Sequence, residues 1–149
     1  MMRRRPFARR REAKKLDKEL GHMLWRQAYD RFARSLDRYW QIVDPEEFTT
    51  IPQDELNGLI NAGNVLTDAL ASVRGICTVA RERFGEHDLD IPPGANDIHR
   101  FLSRAANDLA ATAQAAAMFK RGQASLASVG RRAEKVLDSV HSAQQLLKS

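Results

Sequence analysis

The sequence has 149 residues, 43% of them hydrophobic and 29% charged, a composition typical of one globular domain and unlike that of disordered chains. No apolar run approaches the roughly 18 residues that a transmembrane helix requires. The single cysteine, Cys77, excludes an internal disulfide, and polar residues follow Arg4-Arg5 where an export signal needs an apolar stretch. We therefore predict a cytoplasmic protein.

The net charge of +5 is concentrated at the N-terminus. Residues 1–20 hold nine basic and three acidic side chains, a net charge of +6, whereas the other 129 residues hold 15 basic and 16 acidic ones, a net charge of −1. This segregation predicts a basic N-terminal arm over residues 1–15, either flexible or extending the first helix, and a single helical domain over residues 16–149. Because guanidinium and ammonium groups bind phosphates and carboxylates, we predict that the arm binds anions. The predicted anion-binding residues are Arg3, Arg4, Arg5, Arg9, Arg10, Arg11, Lys14 and Lys15.

Apolar residues at helical spacing predict a first helix over residues 9–43. Leu16, Leu20 and Leu24 recur every four residues and begin a stripe that continues through the aromatic residues of this segment. Asp44-Pro45 ends the helix, because the residue before a proline is disfavoured in helical geometry. The aromatic residues are Trp25, Tyr29, Phe32, Tyr39 and Trp40, and their spacing favours a position in the core over a binding role.

Three further helices are predicted over residues 52–84, 96–121 and 123–148. Gly85 is placed to cap the second helix, and Gly122 separates the third from the fourth. A single glycine costs only about 1 kcal/mol inside a helix, so one uninterrupted helix over the last two segments is the alternative. Four rods of similar length favour the break and predict an all-α, up-down four-helix bundle.

The pattern contains no recognisable catalytic centre. Metal sites in bundles of the di-iron type need a Glu-x-x-His step on each of two helices, whereas the sequence contains one such step, from Glu19 to His22. We interpret Cys77 as a buried core residue and the acidic stretch over residues 86–90 as a solvated loop, with a metal site there as the less favoured reading. The sequence thus predicts no catalytic residue, no metal, no cofactor and no enzymatic activity.

Two helix faces are candidates for contacts with another subunit. The second helix has a polar face with few charges, and the third is rich in alanine, whose small side chain lets helices approach closely. Alanine is also the best helix former, which accounts for its abundance equally well. The candidate interface residues are Asn57, Asn61, Asn64, Asp68, Ala106, Ala110 and Ala117.

These features lead to three hypotheses about function. The first is a non-enzymatic interaction protein whose arm attaches to an anionic macromolecule, with a protein or a nucleic acid favoured over a membrane. The second is a nucleic-acid-binding protein that uses the arm and the first helix on phosphates. The third is a bundle that binds a small ligand, or an enzyme without a recognisable site. A solubilising tail without a target remains the alternative to any role for the arm.

Overall fold

The computed structural model of the protein describes residues 6–44, 46, 50–86 and 91–149. Every regular element within these ranges is a helix, which confirms the all-α prediction. The helices are α1 (Pro6–Leu20), α2 (Leu24–Ile42), α3 (Gln53–Phe84), α4 (Asn96–Lys120) and α5 (Leu126–Lys148). The second and third predicted helices therefore match α3 and α4 to within one residue at each end.

The four longer helices pack side by side in the order α2, α3, α5, α4, and α4 also contacts α2. α2 and α3 are antiparallel. At the start of α2 the ring of Trp25 lies 6.3 Å from that of Phe84, between centroids, at the end of α3. Near the other end of α2 the hydroxyl of Tyr39 donates to the backbone carbonyl of Leu59 (2.7 Å), in the first third of α3.

α2 and α4 are parallel neighbours. Trp25 lies 6.1 Å from the ring of His99, between centroids, close to the start of both helices. Further along both helices, Nη2 of Arg31 donates to Oδ1 of Asn107 (3.2 Å). Residue numbers therefore increase in the same direction along α2 and α4.

α3 and α5 are also parallel neighbours. Leu126 at the start of α5 lies against Gly58 near the start of α3. At the opposite end, Nη1 of Arg83 donates to the carbonyl of Leu147 (2.7 Å). Helix direction thus alternates along the chain. The two helices that pack closely on α3 are α2 and α5, although the segment over residues 85–95 connects α3 to α4.

The predicted single helix over residues 9–43 is wrong, because the chain turns back at Gly21. Gly21 has a φ of 69°, in the left-handed region that side chains disfavour, and its N–H donates to the carbonyl of Asp17 (3.0 Å). Leu20 and Leu24 are both buried, so the apolar repeat continues across the turn although the two residues belong to different helices. Because Leu20 and Leu24 keep the four-residue spacing of a helix, the apolar pattern does not show the boundary between α1 and α2.

The predicted break between the last two helices is confirmed at Gly122. This residue has a φ of 76°, and its N–H donates to the carbonyl of Phe119 (2.9 Å). The N–H of Gln123 donates to the carbonyl of Met118 (2.8 Å). This pair of hydrogen bonds satisfies carbonyls at the end of α4, and the side chain of Ser125 then caps the N-terminus of α5.

The aromatic residues of α2 belong to the core, as predicted. Trp25, Tyr29, Phe32 and Tyr39 are at most 7% exposed. Trp40 is half-buried, and its indole N–H donates to Oγ1 of Thr67 (3.0 Å) on α3. These side chains fix how α2 lies on its neighbours and hence where the charged residues of α2 point.

We expect Gly21→Ala to destabilise the protein more than Gly122→Ala. Both positions have positive φ, which strains alanine by about 1–2 kcal/mol. A Cβ atom at Gly21 would also displace the Glu86 carboxylate from its contact with Arg81, at a cost of up to about 1 kcal/mol, whereas a Cβ atom at Gly122 meets nothing within 4 Å. Unfolding in urea should therefore show a loss of more than about 2 kcal/mol for Gly21→Ala and about 1 kcal/mol for Gly122→Ala.

Gly130→Ala serves as the control for both variants. Gly130 lies within α5 without positive φ, and a Cβ atom there meets nothing within 4 Å. This change should stabilise the protein by about 0.5–1 kcal/mol, because glycine is a poor helix former. A Gly21→Ala variant as stable as Gly130→Ala would contradict the turn between α1 and α2.

Candidate functional site: the cationic face of α1 and the α2–α4 groove

The predicted anion-binding residues fall into two groups in the structure. Arg3, Arg4 and Arg5 lie outside the described residues. Arg9, Arg10, Arg11, Lys14 and Lys15 lie on α1, and all five are exposed. A separate arm over residues 1–15 is not confirmed, because residues 6–15 belong to a helix that packs on α2 and α3.

α1 turns one side to the protein and the opposite side to solvent. Leu16 and Leu20 are 9% and 1% exposed and anchor the inner side. Since an α-helix turns through about 100° per residue, the basic residues other than Arg9 cluster on the opposite side. The exposed residues there are Phe7, Arg10, Arg11, Lys14, Lys15 and Lys18, which we call the cationic face of α1.

Arginines of the neighbouring helices bind all three acidic residues of α1. Arg74 of α3 contacts Glu12 through Nη1 (2.6 Å) and Glu19 through Nε (2.8 Å). Arg26 of α2 contacts Asp17 through Nη1 (2.6 Å). The negative charges of α1 are thus directed inward and compensated, and they do not balance the basic residues on the outer side.

The five basic members of the cationic face have no carboxylate at ion-pair distance within the described part of the chain. They are Arg10, Arg11, Lys14, Lys15 and Lys18. Phe7 lies among them and is 67% exposed, with the guanidinium carbon of Arg11 4.5 Å from the ring centre. The face therefore combines concentrated positive charge with one aromatic ring that a partner can contact.

A groove of about 270 Å³ between α2 and α4 carries a second set of cations. It is lined by Arg31, Arg34, Ser35, Arg38, Ala106, Asn107 and Ala110, and we call it the α2–α4 groove. The hydrogen bond from Arg31 to Asn107 crosses it. Because the side chains of Ala106 and Ala110 are small, the groove between the three arginines stays open.

Arg26, Asp30, Arg34 and Arg38 recur every four residues along α2, a spacing that is typical of a salt-bridged helix face. In the structure these four residues divide into two groups. Arg26 and Asp30 form the expected ion pair (Nε to Oδ1, 3.1 Å). Arg34 and Arg38 instead line the α2–α4 groove, where no carboxylate is among the lining residues, and neither has an ion pair with a described residue. The sequence interpretation missed this site because it depends on which helix packs beside α2.

A larger groove of about 680 Å³ lies between α1 and α3. Its lining mixes basic and acidic side chains, including Glu19 and Glu82. Arg81 on its wall contacts Glu86 (Nε to Oε1, 3.3 Å) and donates from Nη1 to the carbonyl of Lys18 (2.9 Å). Because Glu19 and Glu82 are among its lining residues, this groove suits an anion less well than the α2–α4 groove.

The candidate interface residues have different exposures. Asn57, Asn61, Asn64 and Asp68 are exposed on α3, and Ala110 is exposed on α4. Ala117 is partly buried, whereas Ala106 is 4% exposed. The prediction is wrong for Ala106, because its methyl group already packs within its own chain; a homo-oligomer through the other residues stays a prediction.

The structure places Cys77 in the core, as predicted, where it is fully buried. Burial is the main cause that raises the pKa of its thiol to about 12, and the charge of Asp30 adds to the effect. Within the described ranges no group of three or more histidine, cysteine, aspartate or glutamate side chains is arranged to hold a metal. Residues 87–90 of the acidic loop lie outside those ranges.

Trp25, which the sequence places in the core, and His99 lie together at the α2–α4 contact. Trp25 is 1% exposed, and its indole nitrogen has no acceptor among the described residues. His99 packs against it. Burial, and secondarily the charge of Arg31, lowers the pKa of His99.

Comparisons with models of protein families, with curated proteins and with solved structures find no match for the chain. None of the helices in the described ranges has the length and apolar character needed to cross a bilayer. Function is therefore inferred from the chemistry of the two cationic surfaces.

Arg74→Gln should loosen α1, because it removes the guanidinium group that binds Glu12 and Glu19. Hydrogen exchange of the α1 amides and tryptic cleavage after its basic residues should both become faster, while α3 to α5 stay protected. Arg132→Gln, an equal charge change at an exposed position of α5, should leave both rates unchanged. Equal rates in the two variants would contradict the role of Arg74.

The same ion pairs predict a pH dependence. The hydrogen bond from Arg74 is the main cause that lowers the pKa of Glu19. A lowered carboxyl pKa stabilises the folded state above the ordinary glutamate value of about 4.3, and this stabilisation is lost as pH falls through the lowered pKa. Protection of the α1 amides should therefore decrease on acidification below about pH 4, and this decrease should be smaller in Arg74→Gln.

Native Cys77 should react very slowly with a disulfide reagent at pH 8. A thiol with a pKa of about 12 is almost entirely protonated at that pH, and the reagent has no access to it. The rate, followed by absorbance, should rise roughly a thousandfold when the protein is unfolded in urea. Rapid reaction of the folded protein would contradict the buried position of Cys77.

Proposed function

We propose that the protein is a non-enzymatic interaction protein whose cationic face on α1 attaches to an anionic macromolecule. In this proposal α2 to α5 act as a four-helix bundle that supports α1. The observation that carries it is the inward pairing of Glu12, Asp17 and Glu19 with Arg26 and Arg74, which leaves the outer side of α1 positively charged.

The position of α1 supports binding over a solubilising role. A solubilising tail needs no fixed conformation, whereas residues 6–20 are helical and held by two buried leucines and by three arginine–carboxylate contacts. A pre-ordered surface loses less conformational entropy on binding than a disordered one. The cations are also close enough along the helix to act together on one partner.

The partner expected from this chemistry is an acidic protein surface or a nucleic acid, in preference to a membrane. A membrane-surface helix normally presents a broad apolar side to the lipid. On α1 the leucines Leu16 and Leu20 face the protein, and the outer side carries one exposed aromatic residue, Phe7. Charge therefore dominates the contact, and binding should depend strongly on salt.

A nucleic-acid-binding protein is the second candidate. The observation in its favour is the pair of arginines Arg34 and Arg38 in the α2–α4 groove, because guanidinium groups without carboxylate partners suit phosphate contacts. Copurification of nucleic acid, detected by the absorbance ratio before and after nuclease treatment, would favour this candidate over an acidic protein.

The proposal predicts that a triple variant of α1 loses affinity for polyanions. Arg10→Gln, Arg11→Gln and Lys14→Gln together remove three positive charges from exposed positions of the cationic face. The variant should elute from heparin at lower salt. For a single-stranded oligonucleotide, the slope of log K against log salt should become less steep by about 2.

The matched control changes the same residue types on α5. Arg131→Gln, Arg132→Gln and Lys135→Gln remove the same three charges from exposed positions there. This control should keep elution and slope close to those of the unaltered protein. If both triple variants lose retention equally, only net charge is being measured and the assignment to α1 is wrong.

A further inference from the structure

We propose that the α2–α4 groove is a binding site for phosphate groups, separate from the cationic face of α1. The ligand chemistry is the phosphate oxyanion, supplied either by a small phosphorylated compound or by the phosphodiester backbone of a nucleic acid. This site goes beyond the attachment of α1 to an anionic partner, since it lies on different helices, and it deepens the second candidate function by assigning a phosphate site to the groove.

The side chains of the groove provide donors for such an anion and no competing negative charge. Arg31, Arg34 and Arg38 present guanidinium forks that match phosphate oxygens, and Ser35 adds a hydroxyl group. No carboxylate is among the described residues that line the groove. Asn107 accepts a hydrogen bond from Arg31 (3.2 Å), which orients the guanidinium group without neutralising its charge.

This lack of compensation distinguishes Arg34 and Arg38 from three other arginines at contacts of the helices. Arg26, Arg74 and Arg81 each contact at least one carboxylate at 3.3 Å or less. Those residues hold helices together. Arg34 and Arg38 have no corresponding ion pair with a described residue, and their donors are available to an anion.

The spacing and shape of the groove suit a ligand with one phosphate or a few. The rise of 1.5 Å per residue separates Arg31 from Arg34 by about 4.5 Å along α2, and Arg34 from Arg38 by about 6 Å. Ala106 and Ala110 form the floor, where larger side chains would fill the space. The volume of about 270 Å³ greatly exceeds the roughly 30 Å³ that one water molecule takes up in the liquid.

The test follows the NMR signals of the full-length protein during titration with pyrophosphate, with a thymidine hexanucleotide and with hexaglutamate. We expect both phosphate ligands to shift the amide signals of residues 31–38 and 106–110, together with the Nε–H signals of the groove arginines. Hexaglutamate should bind at least about tenfold more weakly, because its carboxylates lack the tetrahedral set of oxygens. Stronger binding of the oligonucleotide at these residues identifies a nucleic-acid backbone as the source, and equal or stronger binding of pyrophosphate identifies a small phosphorylated ligand.

Two variants test charge and shape separately. Arg34→Gln with Arg38→Gln removes two donors, and Ala110→Leu fills the floor from an exposed position without changing charge. Each should weaken pyrophosphate binding at least about tenfold, with circular dichroism confirming an unaltered fold. Arg131→Gln with Arg132→Gln on α5 is the charge-matched control and should bind as the unaltered protein does.

Three results would overturn the site. These are unchanged affinity in Ala110→Leu, equal binding of hexaglutamate, and the absence of shifts at the groove with either phosphate ligand. Shifts confined to α1 would also reject the groove while leaving the proposed function intact. Conversely, loss of heparin retention only in the double groove variant, with the α1 triple variant unaffected, would reject the role of α1 and keep the groove.

Discussion

The burial of Leu16 and Leu20 is the constraint from which the cationic surface of this protein follows. With these two side chains packed inward, helical geometry directs the basic residues of the cationic face to the opposite side of α1. Glu12 and Glu19 fall at the edge of the packed side, where Arg74 binds both. Hydrophobic docking and ion pairing therefore specify the same orientation of α1, and the outer charge is a consequence of that orientation.

The arginines of the chain serve two physical purposes, and the structure separates them by their surroundings. Arg26 and Arg74 are partly buried and bind carboxylates of another helix, so their positive charge is compensated within the molecule. Arg34 and Arg38 border open space with no carboxylate beside them. Composition alone counts all four as equal contributions to a basic protein.

Sequence periodicity predicted the long helices well because their apolar stripes end at strong stop signals. The glycines at positions 85 and 122 mark real C-termini, and the bounds of α3 and α4 match their predicted ranges closely. The turn at Gly21 escaped prediction, since Leu20 and Leu24 keep helical spacing across it and one glycine costs only about 1 kcal/mol inside a helix. The turn brings α1 against α3, a tertiary contact that local sequence patterns do not report. The α2–α4 groove was not predicted for a related reason, because it depends on which helices are neighbours.

The parallel pairing of α2 with α4, and of α3 with α5, also bears on how the chain reaches its native state. α2 with α3 and α4 with α5 each form a hairpin from consecutive segments, which can associate early with little loss of chain entropy. The contact between Arg31 and Asn107, by contrast, joins residues 76 positions apart. The two halves must each attain much of their shape before such contacts form, so assembly of the hairpins is expected to limit the rate of folding.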